Sequence, residues 1–404
     1  MNPKLILFIV LVSSSLFAQR IPETIQSKKV GNRTFTVVTP PSYATSPEKS
    51  YPTLVVLDGE YLLDPFEGIL KYGSYWDDLP EMIIIAIDQN NGETRFKDSE
   101  FDEAGFPSGS GANFFEFIGV ELLPYVEKKY RTLPFRMIGG HDTTAGFLNF
   151  YLYKDNPIFN AYISLAPEMA PEMEKRIAER LTKITKPIFY YQATGEGDLK
   201  EINEKAAELD ANIKAIPNAT FKYQNDAFKG ASHYSLVAKA VPNAIYFIFD
   251  GYQPISMVEF QDKILKLEAG YTDYLIAKYD ELEKRFGFKM KPRLSDFKAI
   301  EAAIMKNKAY NELQPLGEYA DKHYPKTILG TYHQALYFEK TGNYKKAVKT
   351  YQRAFTLEPI RELTKDYMLN RAEALKGKED KPSEEAPAEV PAETPTEEPT
   401  EKKE

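Results

Sequence analysis

Between Phe35 and Phe249, short β-branched or apolar runs alternate with amphipathic stretches, and this alternation leaves few architectures open. The runs cover residues 35–38, 53–57, 82–87, 135–138, 161–165, 188–192 and 220–223. Several are hydrophobic at nearly every position, as strands covered on both faces must be. Residues 113–130, 145–153 and 203–215 carry helical spacing, while Pro40-Pro41 and the 108–111 cluster mark loops. The expected fold class is α/β, a mostly parallel sheet with helices on both faces.

After Pro254 the pattern becomes helical only. Residues 326–359 end in ALYFEKTGNYKKAVKTYQRAFTLEP, which resembles a tetratricopeptide repeat through Ala335, Gly342, Tyr344, Ala347, Tyr351, Ala354, Leu357 and Pro359. One such unit cannot bury its own face, so helices over 294–324 and 361–375 are expected to flank it. The resemblance implies either a helical buttress or a surface for a protein partner. Residues 377–404 are rich in Glu, Pro and Thr without apolar spacing, the composition of a disordered acidic tail.

At the other end, Lys4, an apolar run over 5–12 and small residues up to Ala18 read as a signal peptide occupying residues 1–19. The run is too short to span a bilayer, and no later segment looks transmembrane. The expected product is exported, periplasmic or secreted, with an esterase-like domain over 20–254 and a helical region over 255–376. The chain has no cysteine, which excludes disulfides, thiolate metal sites, a cysteine nucleophile and a lipidated cysteine after the leader. Of the net charge of −8, residues 378–404 hold ten acids and four lysines, so the folded part is close to neutral. It has no basic stripe, and nucleic acid is not an expected partner.

The segment MIGGHDTTAGFLNFYLY follows a strand and opens a helix, the context of a nucleophile elbow. With YPTLVVLDGEYL, FFEFIGVELLPYVEKKYRTLPFRMIGGH and GASHYSL, it makes residues 51–249 resemble the putative-esterase branch of the α/β hydrolases, which includes enterochelin esterases and S-formylglutathione hydrolases. The resemblance implies the α/β-hydrolase fold and a serine after Gly140-His141, then any residue, then two glycines. This chain has Asp142 at the serine position, and Thr144 and Ala145 at the glycine positions. A carboxylate attacking an acyl carbonyl would make an anhydride, a poor route to ester hydrolysis. A β-branched Thr144 is expected to crowd the turn.

By the same resemblance, His233 in Gly230-Ala231-Ser232-His233 is the general base, and the acid comes from Thr194-Gly195-Glu196-Gly197-Asp198, with Asp198 preferred over Glu196. The oxyanion hole would use the backbone N–H of Thr143 and a donor at Glu60 or Tyr61. The family's arginine-rich substrate loop resembles residues 93–98, which include Arg95, without the threonine-proline that usually follows. The four histidines, His141, His233, His323 and His333, contain no HExxH spacing, and no metal or cofactor is implied.

Three functions fit these residues. The first is a catalytically degenerate fold kept as a binding or scaffold module in the cell envelope, with an ester-like or other small molecule in its pocket. The second is a hydrolase in which Asp142 attacks an alkyl carbon and His233 activates water, as in haloalkane dehalogenases and epoxide hydrolases, although the only tryptophan, Trp76, lies outside the elbow. The third is residual carboxyl-ester hydrolysis through Thr143, Thr144 or a nearby serine.

Overall fold

The computed structural model describes residues 19–89, 92–217 and 220–380. Residues 1–18 of the leader proposed over 1–19, and residues 381–404 of the tail proposed over 377–404, lie outside the described residues. The described residues form two compact units, one within Met1–Ser256 together with Lys278–Met290, the other within Met257–Ala277 and Lys291–Glu404.

The first unit is built on eight strands: β1 (Gln19–Ser27), β2 (Gly31–Thr39), β3 (Tyr51–Val56), β4 (Ile83–Ile87), β5 (Thr132–His141), β6 (Ala161–Leu165), β7 (Ile188–Gly197) and β8 (Phe221–Ser232). They are ordered β1-β2-β4-β3-β5-β6-β7-β8. The pairs β1–β2 and β2–β4 are antiparallel, and every pair from β4 to β8 is parallel. Every residue of β3, β4 and β6 is buried, which is why these segments read as largely apolar runs, broken only by Thr53 in β3 and Ser164 in β6. Strand β1 is an edge strand with alternating exposure and a proline at Pro22, a residue that edge strands tolerate.

Helices α1 (Gly59–Tyr75), α2 (Gly92–Asp98), α3 (Gly109–Glu116), α4 (Leu123–Lys129), α5 (Thr143–Leu148), α6 (Met173–Leu181) and α7 (Lys200–Lys214) lie between the strands, and α8 (Ser235–Ile248) follows β8. The helix expected over 113–130 runs from Gly109 to Lys129, with a π-helical stretch at Phe117–Leu122 just before Pro124, a residue without the N–H that regular helical pairing needs. The helix expected over 145–153 is α5 followed by a 3₁₀ turn at Asn149–Tyr153.

Residues 278–290 return to this unit because Phe286 packs there. Its ring lies 5.3, 5.9 and 5.4 Å from those of Phe135, Phe189 and Phe249. The helix that carries it, α10 (Tyr271–Phe286), begins in the second unit after α9 (Met257–Asp262).

The second unit continues through α11 (Leu294–Asn307), α12 (Leu313–His323), α13 (Ile328–Lys340), α14 (Tyr344–Gln352) and α15 (Lys365–Leu375). A Cβ at Gly330 would come within 2.6 Å of the Gly317 carbonyl oxygen, so glycine lets α12 and α13 pack closely. Ala335, Ala347 and Tyr351 are fully buried. Among the described residues no helix is long and apolar enough to cross a membrane.

Candidate functional site

The candidate residues converge because each follows the C-terminal end of a parallel strand, the edge where open α/β sheets place ligands. Asp58 follows β3, Gln89 and Arg95 follow β4, Asp142 follows β5, Glu168 follows β6, Asp198 follows β7 and His233 follows β8.

Asp142 occupies the tip of the turn between β5 and α5 with φ 61° and ψ −122°, a conformation costly for a residue with a Cβ. Three backbone hydrogen bonds hold it: its N–H donates to the Leu165 carbonyl at 2.8 Å, and its own carbonyl accepts from Gly146 at 3.0 Å and Glu168 at 3.1 Å. A Cβ at Gly146 would lie 1.8 Å from the Glu168 carbonyl oxygen. The close approach to the Glu168 backbone is made at Gly146, one residue beyond the Thr144 and Ala145 positions.

Thr144 does not crowd the turn as expected from its β-branch. It is fully buried, and its hydroxyl donates to Asp58 Oδ2 at 2.6 Å and lies 3.0 Å from both the N–H and the carbonyl oxygen of His141. Polar partners absorb the extra bulk.

The Asp142 carboxylate is partnered by Arg95, whose Nη1 lies 3.2 Å from Oδ2. Arg95 is itself clamped: Nε and Nη2 donate to the two oxygens of Asp58 at 2.7 and 3.1 Å, and Nη2 also reaches the His141 carbonyl at 2.7 Å. Burial works against the Arg95 charge, but the Asp58 hydrogen bonds outweigh it and hold the guanidinium more firmly protonated than usual. The helix bearing Arg95 is fixed in turn. Arg33 makes a buried bidentate pair with Asp98 at 2.6 and 2.8 Å, and Gln89 links Asp98 to the Asp58 N–H. Burial raises the Asp98 pKa, an effect that Arg33 opposes.

His233 Nδ1 lies 2.6 Å from Asp198 Oδ1, and the Asp198 side chain is fully buried. Asp198 Oδ2 accepts from the Gly195 N–H. Glu196 is turned elsewhere, accepting from the Gly230 N–H at 2.8 Å. Among the described residues neither a hydrogen bond joining His233 to Asp142 nor a partner for His233 Nε2 is present. The structure thus brings together two separate pairs, Asp142 with Arg95 and His233 with Asp198.

Behind them lies His141, 1% exposed, its ring centroid 4.3 Å from that of His233. Its Nε2 is 3.1 Å from the His233 carbonyl oxygen, which can only accept, so this nitrogen carries the proton. Nδ1 faces the Tyr61 hydroxyl at 3.1 Å, and that hydroxyl also lies 2.9 Å from Asp58 Oδ2. Burial, and then the neighbouring His233, push the His141 pKa down to about 4.

The proposed oxyanion donors are placed unequally. Thr143 stands first in α5, and its hydroxyl donates to Glu168 Oε2 at 2.7 Å. The Tyr61 N–H is directed at the Asp58 carbonyl at 3.2 Å. The Glu60 side chain accepts from the Gln89 N–H at 2.6 Å, and burial raises its pKa. Asp58, His141 and the side chain of Tyr61 were given no role by sequence, and Thr144 was weighed there only as a crowding residue or a substitute nucleophile, not as a hydrogen-bond partner of Asp58. Their contacts span 3 to 86 residues, and the longer ones leave no local signal. Among the described residues no group of three or more His, Asp or Glu is placed to hold a metal ion.

A crystal structure of an uncharacterised protein from Capnocytophaga ochracea DSM 7271 is 29% identical, with a TM-score of 0.80, covering 88% of this chain and 99% of that one. An IroE-like serine hydrolase from Shewanella oneidensis is 20% identical, with a TM-score of 0.57 over 80% of this chain and 99% of its own. The BES protein from Bacillus cereus is also 20% identical, with a TM-score of 0.50 over 56% and 95%. At these last two identities the likeness is one of fold. No curated protein matches the chain. The model of the family described as putative esterase matches residues 27–236, just over half of the sequence. The chain therefore belongs to the putative-esterase family and carries its α/β-hydrolase fold.

Proposed function

We propose that this protein is a catalytically degenerate esterase-family member that serves as a binding or scaffold module in the cell envelope. The observation that carries this proposal is the Asp142–Arg95 ion pair at the tip of the elbow. A carboxylate there cannot give a stable acyl-enzyme, and its negative charge is already committed to a guanidinium instead of facing the imidazole. The apolar run over 5–12 supports export, and the sequence over 326–359, with Ala335, Ala347 and Tyr351 buried, supports a tetratricopeptide-like unit open to a protein partner.

Retention of the Asp198–His233 pair makes the proposal testable. Asp142→Ser is expected to raise p-nitrophenyl butyrate hydrolysis at least roughly 10³-fold over the parent protein, a fraction of the roughly 10⁶ that a missing serine costs a serine hydrolase. If the parent already turns over the ester at ordinary rates and Asp142→Ala abolishes this, degeneracy is refuted.

A second function draws on one observation, that His233 Nδ1 is held by Asp198 while, among the described residues, Nε2 has no hydrogen-bond partner. An imidazole so oriented could activate water against an alkyl ester of Asp142. One turnover in ¹⁸O-water would label Asp142 if that ester forms, and an unlabelled carboxylate would dismiss it.

A further inference from the structure

Helix α14 lies in a stretch of one-sided charge. Residues 340–357 hold five basic side chains, Lys340, Lys345, Lys346, Lys349 and Arg353, and no acidic one. Ala347 and Tyr351 of the helix are buried, while Lys345, Lys346 and Lys349 are exposed neighbours at three- and four-residue spacing.

Two of the five charges are engaged close by. Lys340 pairs with Glu339 at 3.8 Å, and Arg353 acts on the Asp321 carboxylate. Among the described residues the side chains of Lys346 and Lys349 have neither a hydrogen bond nor an ion pair, and the Lys346 ammonium lies 5.6 Å from the Phe338 ring centroid.

The acid that does meet this face is Asp380, where the chain runs on into residues 381–404. Its Oδ1 accepts from the Lys345 N–H at 3.0 Å, beside the Asn343 cap, and its Oδ2 lies 4.0 Å from Lys345 Nζ. A hollow of about 630 Å³, lined by Tyr344, Lys345 and Val348, separates α14 from residues 375–380. Charge is complementary across Asp380. Residues 291–380 carry seventeen Lys and Arg against twelve Asp and Glu, whereas 381–404 carry three lysines against eight glutamates, an excess of five in each case.

We infer that the lysine face of α14 is a docking surface for acidic segments and that residues 381–404 are its resident occupant. Lys345 and Lys349 are about 6 Å apart along the helix at 1.5 Å per residue. Glu384 and Glu385 follow Asp380 by roughly 13–17 Å of extended chain, so they reach both lysines without a turn. An acidic partner would have to displace an occupant tethered at an effective concentration of about millimolar. None of these residues belongs to the hydrolase site, so the chemistry of the elbow has no bearing on the outcome.

The test is fluorescence anisotropy at low ionic strength with a fluorescein-labelled peptide of residues 381–404. It compares three full-length proteins: the parent, a variant with the eight glutamates of 381–404 changed to glutamine, and that variant with Lys345→Gln, Lys346→Gln and Lys349→Gln added. The glutamine-tailed protein is expected to bind the peptide saturably and roughly tenfold tighter than the parent, whose own acidic segment competes. The added lysine substitutions should abolish binding, and added salt should weaken it. Glutamine matches lysine in helix propensity, so the triple change should melt like its background. Lack of saturable binding to the glutamine-tailed protein overturns the inference, as does binding that survives the three lysine substitutions. Equal affinity of the parent and the glutamine-tailed protein, which are identical throughout the described residues, overturns occupancy by the chain's own segment even if the lysine variant fails to fold.

Discussion

Acidification should destabilise the first unit through His141, in a pH window set by its burial. The unfolded chain carries an ordinary imidazole near 6.5, whereas the folded one stays neutral down to about 4. Between these values the unfolded state binds the extra proton, so folding stability rises with pH across the window. It is fully present above pH 6.5 and falls as pH drops through 4. A difference of that size corresponds to about 3 kcal/mol at 1.36 kcal/mol per pH unit. The opposing carboxylates of Asp142 and Asp58 are already included in this balance. The assay is urea unfolding at pH 7 and pH 4, followed by fluorescence of Trp76, the only tryptophan and a residue of the first unit. Other carboxylates also titrate in this range, so the informative quantity is the comparison with His141→Gln, whose amide can still donate to the His233 carbonyl. The parent should lose about 3 kcal/mol more than the variant between the two pH values, a midpoint difference of roughly 1 M urea. Equal losses would show that burial of this imidazole does not govern acid stability.

Two further perturbations probe what holds the site and the unit boundary. Asp98→Ala leaves Arg33 buried without its bidentate partner and should cost about 3–5 kcal/mol in the same unfolding assay; a loss below about 1 kcal/mol would mean that the pair does not anchor the Arg95 helix. Phe286→Ala should also cost about 3–5 kcal/mol. Because its ring packs on Phe135, Phe189 and Phe249, the loss should appear in the Trp76 transition, and a Trp76 transition unchanged from the parent would contradict its membership of the first unit.

The central strands were legible because burial on both faces makes Ile83–Ile87 apolar throughout and Ala161–Leu165 apolar except for Ser164, whose hydroxyl is hydrogen-bonded. Strand β1 was not, since an exposed edge strand needs no apolar run and Pro22 argues against a strand until its edge position is known. The same contrast runs through the site. The order of Asp142, Asp198 and His233 along the chain follows from family likeness, and the pairing of His233 with Asp198 across 35 residues is a property of adjacent strands β7 and β8.

By itself the sequence determined that no hydroxyl stands after Gly140-His141, because side-chain chemistry at a turn is a local fact. Which charge Asp142 would meet depended on strand order, since β3, β4 and β5 are neighbours only in the folded sheet and their ends carry Asp58, Arg95 and Asp142 from positions far apart in the chain. Tertiary structure alone decided that the carboxylate answers to a guanidinium. Electrostatic partners are chosen by distance in space, which spacing along a chain does not encode.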